Sequence, residues 1–141
     1  MNVSYDFSGR TVLVAGAASG IGRALSTECM DLGATVSAID IDAEALGTMQ
    51  RDRCLTHVAD VADSGAVRRA VDDTLARTGR IDAAVLSSAI QKRTPIETLS
   101  DDEWQRHLDV NLCGVFYYLR ELFPVLRRNW VRCGLSNLPK I

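Results

Sequence analysis

A glycine-rich turn directly after an apolar segment is the feature that most constrains this fold. The segment is residues 11–15, TVLVA, and the turn is residues 16–22, GAASGIG. The apolar run predicts a buried strand, and residues 23–32 predict a helix. Glycines at the positions of Gly16, Gly20 and Gly22 allow a tight turn, close approach of the backbone to a pyrophosphate, and close packing of helix on sheet. The first N–H groups of the helix would then point at the anion, so the sequence predicts a phosphate-binding unit.

An acidic residue follows the second predicted strand, residues 34–39, at Asp40. A carboxylate about 20 positions beyond such a turn accepts hydrogen bonds from both ribose hydroxyls of an adenosine. It also repels a 2′-phosphate, and neither Ser19 nor Ile41 supplies a positive charge to hold one. The order of turn, helix, strand and acid favours NAD over NADP. In the alternative interpretation Asp40 only caps the next helix, a role that Asp42 fills equally well.

Strands and helices alternate along the rest of the chain. Further strands are predicted over residues 55–59 and 82–86, and helices over residues 42–51, 64–78 and 100–128. Such alternation predicts a parallel sheet with helices on both faces. The fold class is therefore α/β, a Rossmann-type doubly wound parallel sheet that stops after the fourth strand and the fourth helix. The inferred strand order is 3-2-1-4.

These motifs, in this order, resemble the short-chain dehydrogenase/reductase family over residues 7–128. Asp60-Val61 follows the third strand, Ser87-Ser88-Ala89-Ile90 follows the fourth, and the long helix carries Asn111. The resemblance implies hydride transfer between NAD(H) and an alcohol or carbonyl substrate, with the Asp-Val pair bracketing the adenine ring. The residues that it implies in cofactor binding are Gly16, Ser19, Gly20, Ile21, Gly22, Asp40, Ile41, Asp60, Val61, Ser88, Ala89 and Ile90.

Two residues depart from the family pattern within the site. Ala15 replaces a Thr that usually opens the glycine motif, which removes one side-chain hydrogen bond but no glycine. Ile90 replaces a Gly that passes close to the cofactor's ribose. Either the branched side chain crowds the nicotinamide half of the site, or the backbone still runs past the cofactor in an extended form.

The catalytic residues depart further. The resemblance implies a Tyr whose pKa is lowered by a Lys four residues later, a Ser that orients the substrate oxygen, and an Asn in the proton relay. Ser88 and Ser136, not Tyr, precede Lys92 and Lys140 at that spacing. Of the four groups only Asn111 is present, so the chain is predicted to be inactive as it stands. The alternative is a non-catalytic NAD- or adenosine-binding module that associates with full-length relatives.

The chain divides by pattern into two parts. Residues 1–128 are expected to form an incomplete NAD-binding Rossmann domain, and residues 129–141 a tail outside the family pattern. The tail has neither helical nor strand periodicity. We expect a shifted reading frame or a truncation there, or alternatively a natural short tail that packs on the sheet.

Composition excludes several classes of partner and cofactor. A net charge of −2 offers no basic surface for nucleic acid, and no apolar run reaches membrane-spanning length. His57 and His107 have no partner at metal-ligand spacing, so no metal site is predicted. The cysteines show neither metal-like nor redox pairing, which predicts reduced thiols in a cytoplasmic protein; they are Cys29, Cys54, Cys113 and Cys133.

An apolar stripe at helical spacing follows the long fourth helix. It comprises Trp104, Leu108, Leu112, Val115, Phe116, Leu119, Phe123 and Leu126. Most of this stripe is expected to pack on the sheet, whereas the family resemblance implies that the outer part of the helix pairs with another subunit. The fourth strand would also form an exposed edge. We therefore expect self-association through the long helix or through this strand.

Overall fold

A computed structural model describes residues 5–132 as one layered α/β unit. Its strands are β1 Thr11–Ala15, β2 Thr35–Asp40, β3 Cys54–Val58 and β4 Ala83–Leu86. The helices that follow β1, β2 and β3 are α1 Gly20–Asp31, α2 Ala43–Gly47 and α3 Ser64–Thr78. After β4 come α4 Asp101–Leu108, a π-helical turn Asp109–Cys113, and α5 Gly114–Arg132.

The four strands form one parallel sheet in the order β3-β2-β1-β4. Val12 pairs with Val36 of β2 on one side and with Ala83 of β4 on the other. The predicted fold class and strand order are therefore confirmed. With β1 in the centre, the turn that follows it lies between the ends of its two neighbours, which is where such sheets form their binding crevice.

Both faces of the sheet are covered by helices, because successive side chains of a strand point to opposite faces. Val14 and Val36 pack with Met30 and Leu46 on the side of α1 and α2. On the other side the core joins Leu13 and Ile39 to α3 and α5. The two inner strands, β1 and β2, are mostly apolar because both of their faces are buried, whereas the edge strands β3 and β4 are only partly buried.

Several helix boundaries differ from the prediction. Helix α1 begins at Gly20 rather than at residue 23 and ends at Asp31 rather than at residue 32. α2 ends at Gly47 rather than near residue 51, because the Thr48 hydroxyl donates to Ala45 O (2.7 Å) and Met49 turns inward to a buried position. The single helix predicted over residues 100–128 is instead α4, the π-helical turn and α5, and it continues to Arg132. The remainder of the predicted tail, residues 133–141, lies outside the described residues, and the proposed domain boundary stays a prediction.

The prediction that the apolar stripe packs mostly on the sheet is wrong for its larger members. The helix instead turns Tyr118, Leu122 and Val125 to the sheet. This segment carries apolar side chains on more than one face, and periodicity alone does not tell which face is covered. The stripe residues with more than half of their surface exposed are Trp104, Leu112, Phe116, Leu119 and Phe123.

Candidate functional site

A cleft of about 290 Å³ opens at the carboxyl ends of the strands. It brings together every residue predicted from the sequence to bind cofactor, namely Gly16, Ser19, Gly20, Ile21, Gly22, Asp40, Ile41, Asp60, Val61, Ser88, Ala89 and Ile90. Four further lining residues were not predicted: Ala59, Ser87, Arg106 and Val110. Residues from five separate segments therefore converge on one concave surface, although their binding role stays a prediction.

The glycine turn is shaped by close backbone contacts. Gly16 has φ +78°, and a Cβ there would lie 2.7 Å from Ser88 N. At Gly22 a Cβ would lie 2.0 Å from Gly16 O, so a side chain cannot fit without moving the backbone. Gly20 differs, since a Cβ there would meet nothing within 4 Å. Gly16 and Gly22 are thus required by packing, whereas Gly20 leaves open space in the wall of the cleft.

The N-terminus of α1 faces this space without a cap of its own. Ser19 is the N-cap residue, yet its side chain makes no capping hydrogen bond, and the first turn carries no acidic residue. The first N–H groups of a helix have no partner within it and carry partial positive charge. The open cradle at Gly20 and these donors together fit the diphosphate of a dinucleotide.

Asp40 lies at the end of β2 beside the glycine turn. Its Oδ2 accepts a hydrogen bond from Ala18 N (2.9 Å) and its Oδ1 accepts one from Asp42 N (3.1 Å). The cap of α2 is Asp42, whose Oδ1 accepts from Ala45 N (2.9 Å). The interpretation of Asp40 as a mere helix cap is therefore wrong, because it fixes the turn and presents its carboxylate to the cleft.

Asp60 and Arg106 close the far end of the cleft. Asp60 Oδ1 accepts from Ala62 N (2.9 Å), and Oδ2 accepts from Arg106 Nη2 (2.8 Å). Arg106 belongs to α4, so the ion pair joins that helix to the loop after β3. Sequence reasoning missed Arg106, because no local pattern links it to Asp60, 46 residues earlier.

Asn111, the predicted catalytic residue, lies in the π-helical turn behind the cleft wall. Its Oδ1 accepts from Ile90 N (2.8 Å) and its Nδ2 donates to Ile90 O (2.9 Å). Both ends of the amide thus hold the backbone of the loop after β4. The Ile90 side chain packs partly against the core on the α3 and α5 side. The backbone of Ile90 does not adopt the left-handed conformation. Within residues 5–132 the single non-glycine residue with positive φ is Arg53.

Tyr118 lies beneath the site and is 1% exposed. Burial, and after it the negative charge of Asp40, raises the pKa of the Tyr118 hydroxyl above its usual value. That hydroxyl is buried without a hydrogen-bond partner. It is therefore neutral at physiological pH and inaccessible to a substrate, so it is not suited to act as a general acid or base.

Two features are absent from the part of the chain that the structure describes. Residues 5–132 include no cluster of three His, Cys, Asp or Glu side chains that could hold a metal ion. None of the helices in that range combines the length and apolar character needed to cross a membrane. The described thiols of Cys29, Cys54 and Cys113 are free.

The parallel sheet, with the glycine turn at the carboxyl end of its central strand, defines a Rossmann-type α/β fold. The model of the family described as short chain dehydrogenase matches residues 10–131. This chain belongs to the short-chain dehydrogenase family.

Relatives and solved structures agree with this assignment. The chain is 35% identical over 126 residues to a 2-dehydro-3-deoxy-L-rhamnonate dehydrogenase (NAD(+)) from Sphingomonas sp. (strain SKA58). The matched region covers 87% of this chain and 51% of the relative. It is 36% identical to a D-threitol dehydrogenase from Mycolicibacterium smegmatis, covering 82% and 48% respectively. The chain thus spans about half the length of the curated relatives it matches.

A solved structure of a 3-ketoacyl-(acyl-carrier-protein) reductase from Brucella melitensis complexed with NADH superposes with a TM-score of 0.85 at 26% identity, covering 91% of this chain and 55% of the other. A glucose/ribitol dehydrogenase-type structure from the same organism gives a TM-score of 0.83 at 32% identity, covering 88% and 54%.

Proposed function

We propose that this chain binds NAD(H) in the cleft, in the manner of an oxidoreductase that transfers hydride between the nicotinamide and an alcohol or carbonyl carbon. The observation that carries the proposal is the Asp40 carboxylate, which faces the cleft beside the uncapped N-terminus of α1. One relative is named as an NAD(+) enzyme and one structural neighbour as an NADH complex, which supports a nicotinamide cofactor.

Different residues of the cleft bind different parts of the cofactor. The diphosphate lies on the N–H groups at the start of α1, and the adenosine ribose donates its hydroxyls to Asp40. The base lies between Ile41 and the Asp60-Val61 pair. The nicotinamide half, which would supply or accept the hydride, lies along Ser88, Ala89 and Ile90, the segment held by Asn111.

NAD is proposed over NADP because a 2′-phosphate would face the charge of Asp40. Calorimetric titration of the unmutated chain should give tighter binding of NADH than of NADPH by about tenfold or more, since a hydrogen bond to a charged group contributes about 1.5–3 kcal/mol. Asp40→Ala should weaken NADH and reduce the preference. Asp42→Ala is the matched control, because it removes the cap of α2 and leaves the preference unchanged. Equal affinity of the unmutated chain for both cofactors would contradict the role of Asp40.

Turnover is not expected from the 141-residue polypeptide itself. Its sequence contains no Tyr-x-x-x-Lys, and Asn111 is the one member of the family's catalytic set that it carries. General acid and base groups of this kind contribute roughly 10²–10⁴-fold to the rate. Purified chain should therefore reduce no NAD above background with a panel of alcohols and hydroxysteroids. Turnover at ordinary enzymatic rates would refute this part of the proposal.

Self-association is proposed on two surfaces. The exposed residues Leu112, Phe116, Leu119 and Phe123 recur at helical spacing, and β4 is one of the two edge strands of the sheet within the described residues. Large apolar patches and open strand edges recruit other chains. Sedimentation at micromolar concentration should show oligomers, and Leu119→Glu should reduce them. A single monomeric species with a sharp thermal transition would contradict this expectation.

A cytoplasmic location is proposed on the chemistry of the cysteines. The three described thiols are unpaired, as is usual in a reducing compartment. Disulfide formation in the protein isolated from its native cells would argue against it.

A further inference from the structure

We propose that Arg106 binds the base of the cofactor: its guanidinium, held by Asp60, packs flat on the purine ring of the bound dinucleotide. The inference rests on the proposed function, because it requires the adenosine half of the cofactor to lie against Asp60 and Val61. Arg106 lies outside both the glycine turn and the Asp60-Val61 pair, and it is therefore an additional residue of the proposed site.

The position of Arg106 depends on contacts at both ends of its side chain. Helix α4, from which it extends, has no buried residue of its own. The guanidinium reaches across the cleft to Asp60 Oδ2 at 2.8 Å. Since Asp60 Oδ1 already accepts from Ala62 N at 2.9 Å, the carboxylate is fixed from the other side. The arginine is therefore held in one place without being buried, with 44% of its side chain exposed.

Apolar side chains line the cleft together with Arg106. Arg106 and Val110 line the side formed by α4 and the π-helical turn, and Ile41 lines the cleft from the end of β2. Ile41 is 60% exposed, so its side chain is free to take a ligand. A planar guanidinium stacks on aromatic rings, whereas the ammonium of a lysine has no such plane.

The ion pair between Arg106 and Asp60 does not by itself explain why Arg106 lies in the cleft. Exposed pairs contribute about 0–1 kcal/mol to stability, and both partners here are partly open to solvent. A cation over an aromatic ring contributes about 0.5–2 kcal/mol. That range corresponds to roughly 2- to 30-fold in affinity, so stacking on the base is the larger expected effect.

The experiment compares Arg106→Ala, Arg106→Lys and Arg69→Ala in calorimetric titrations with NADH, ADP and inorganic pyrophosphate. Arg69 is the matched control, because it is an exposed arginine paired with an aspartate, Asp63, at 3.7 Å and does not line the cleft. Arg106→Ala should weaken NADH and ADP by a similar factor, roughly 3- to 30-fold, and leave pyrophosphate unchanged. Arg106→Lys should be nearly as weak, and Arg69→Ala should bind all three as the unmutated chain does.

Several results would overturn the inference. Unchanged ADP and NADH affinity in Arg106→Ala would do so while leaving the proposed function intact. If Arg106→Lys bound NADH and ADP with full affinity, the positive charge of Arg106 rather than its planar guanidinium would account for the binding. An equal loss for pyrophosphate, which has no base, would show a general distortion of the cleft. Failure of the unmutated chain to bind either NADH or ADP would overturn the proposed function and this inference together.

Discussion

Helix N-termini of two kinds occur in residues 5–132, and the difference separates the cleft from the rest of the molecule. Three helices are capped by the side chain of the preceding residue: α2 by Asp42, α3 by Asp63 and α4 by Ser100. The N-terminus of α1 has Ser19 in the same position, but the Ser19 hydroxyl makes no capping bond. The uncapped helix is the one whose first turn lines the cleft.

Residue type does not explain this difference, because serine caps α4 and fails to cap α1. The backbone of Ser19 is more extended, with φ −145° against −78° at Ser100. Ser19 lies within the glycine turn, whose path is fixed by the contacts of Gly16 and Gly22. The turn therefore leaves the donors of α1 to a ligand, while the other helices satisfy theirs within the protein.

The largest effect is expected from Gly22→Ala, which breaks the turn itself. A Cβ 2.0 Å from Gly16 O forces the backbone apart. The free energy of unfolding should fall by about 3 kcal/mol, and NADH binding should be lost. Urea denaturation and calorimetry measure the two. Gly47→Ala is the control, since a Cβ there meets nothing within 4 Å, and it should leave both quantities nearly unchanged.

Ser19→Asp places a negative charge at the uncapped start of α1. The aspartate would lie at the proposed diphosphate site and beside the partial positive charge of the helix N-terminus. NADH affinity should fall at least about tenfold, whereas the free energy of unfolding should stay level or rise by about 0.5–1 kcal/mol. Unchanged affinity in this variant would mean that the diphosphate does not use the start of α1.

Asp63→Ala tests a capped helix N-terminus, that of α3. Asp63 Oδ1 accepts from Gly65 N (2.8 Å) and Ala66 N (3.1 Å). Loss of such a cap costs about 1 kcal/mol of stability, which thermal and urea unfolding would register. NADH affinity should not change, because Asp63 is absent from the cleft. A fall in affinity comparable to that of Ser19→Asp would remove the distinction between the two kinds of helix start.

The smallest effect is expected on the pH dependence of the free energy of unfolding, at the contact between α3 and the sheet. Ser37 and Thr74 hydroxyls share a buried hydrogen bond of 2.6 Å, and His57 Nε2 lies 3.4 Å from Thr74 Oγ1. Burial chiefly, with a contribution from the charge of Arg77, lowers the pKa of His57 despite the opposing charge of Asp73.

Because the native pKa is the lower one, the neutral imidazole stabilises the fold above the unfolded value of about 6.5, and this stability is lost as pH falls towards the native pKa. His57→Gln should abolish that part of the pH dependence, which sets in as pH falls through the unfolded value of about 6.5. An unchanged pH dependence of urea unfolding in the variant would assign it to other groups.

The sequence predicted the elements whose signals are local. Helix α3 begins at Ser64 and ends at Thr78 as predicted, because Asp63 caps its start and Gly79 accepts the left-handed conformation at its end with φ +72°. Alternation of elements predicts a parallel sheet but not the position of β4, which pairs with β1 rather than with β3; the order 3-2-1-4 is typical of the Rossmann fold that the glycine turn indicates. All predicted cofactor residues meet in one cleft because parallel strands bring their carboxyl ends to one edge.

What the sequence did not predict depends on contacts between distant segments. The π-helical turn accompanies the bonds between Asn111 and Ile90, which are 21 residues apart. Arg106 reaches Asp60 across 46 residues, and no local pattern encodes that pairing. The exposed face of α5 was assigned wrongly because Phe116 and Tyr118 are both apolar in character, and only the position of the sheet decides which is buried.

The shape of the glycine turn depends on a contact with a strand far away in the sequence. The wall behind Gly16 is Ser88, and the Ser87 hydroxyl donates to Ala15 O from 72 residues away. Closing so long a loop is slow compared with forming the neighbouring β1 and β2 unit. We therefore expect the glycine turn to acquire its final shape only when β4 docks. Refolding chains should then gain affinity for NADH late, after most secondary structure has formed, so that NADH binding would report the completion of the sheet.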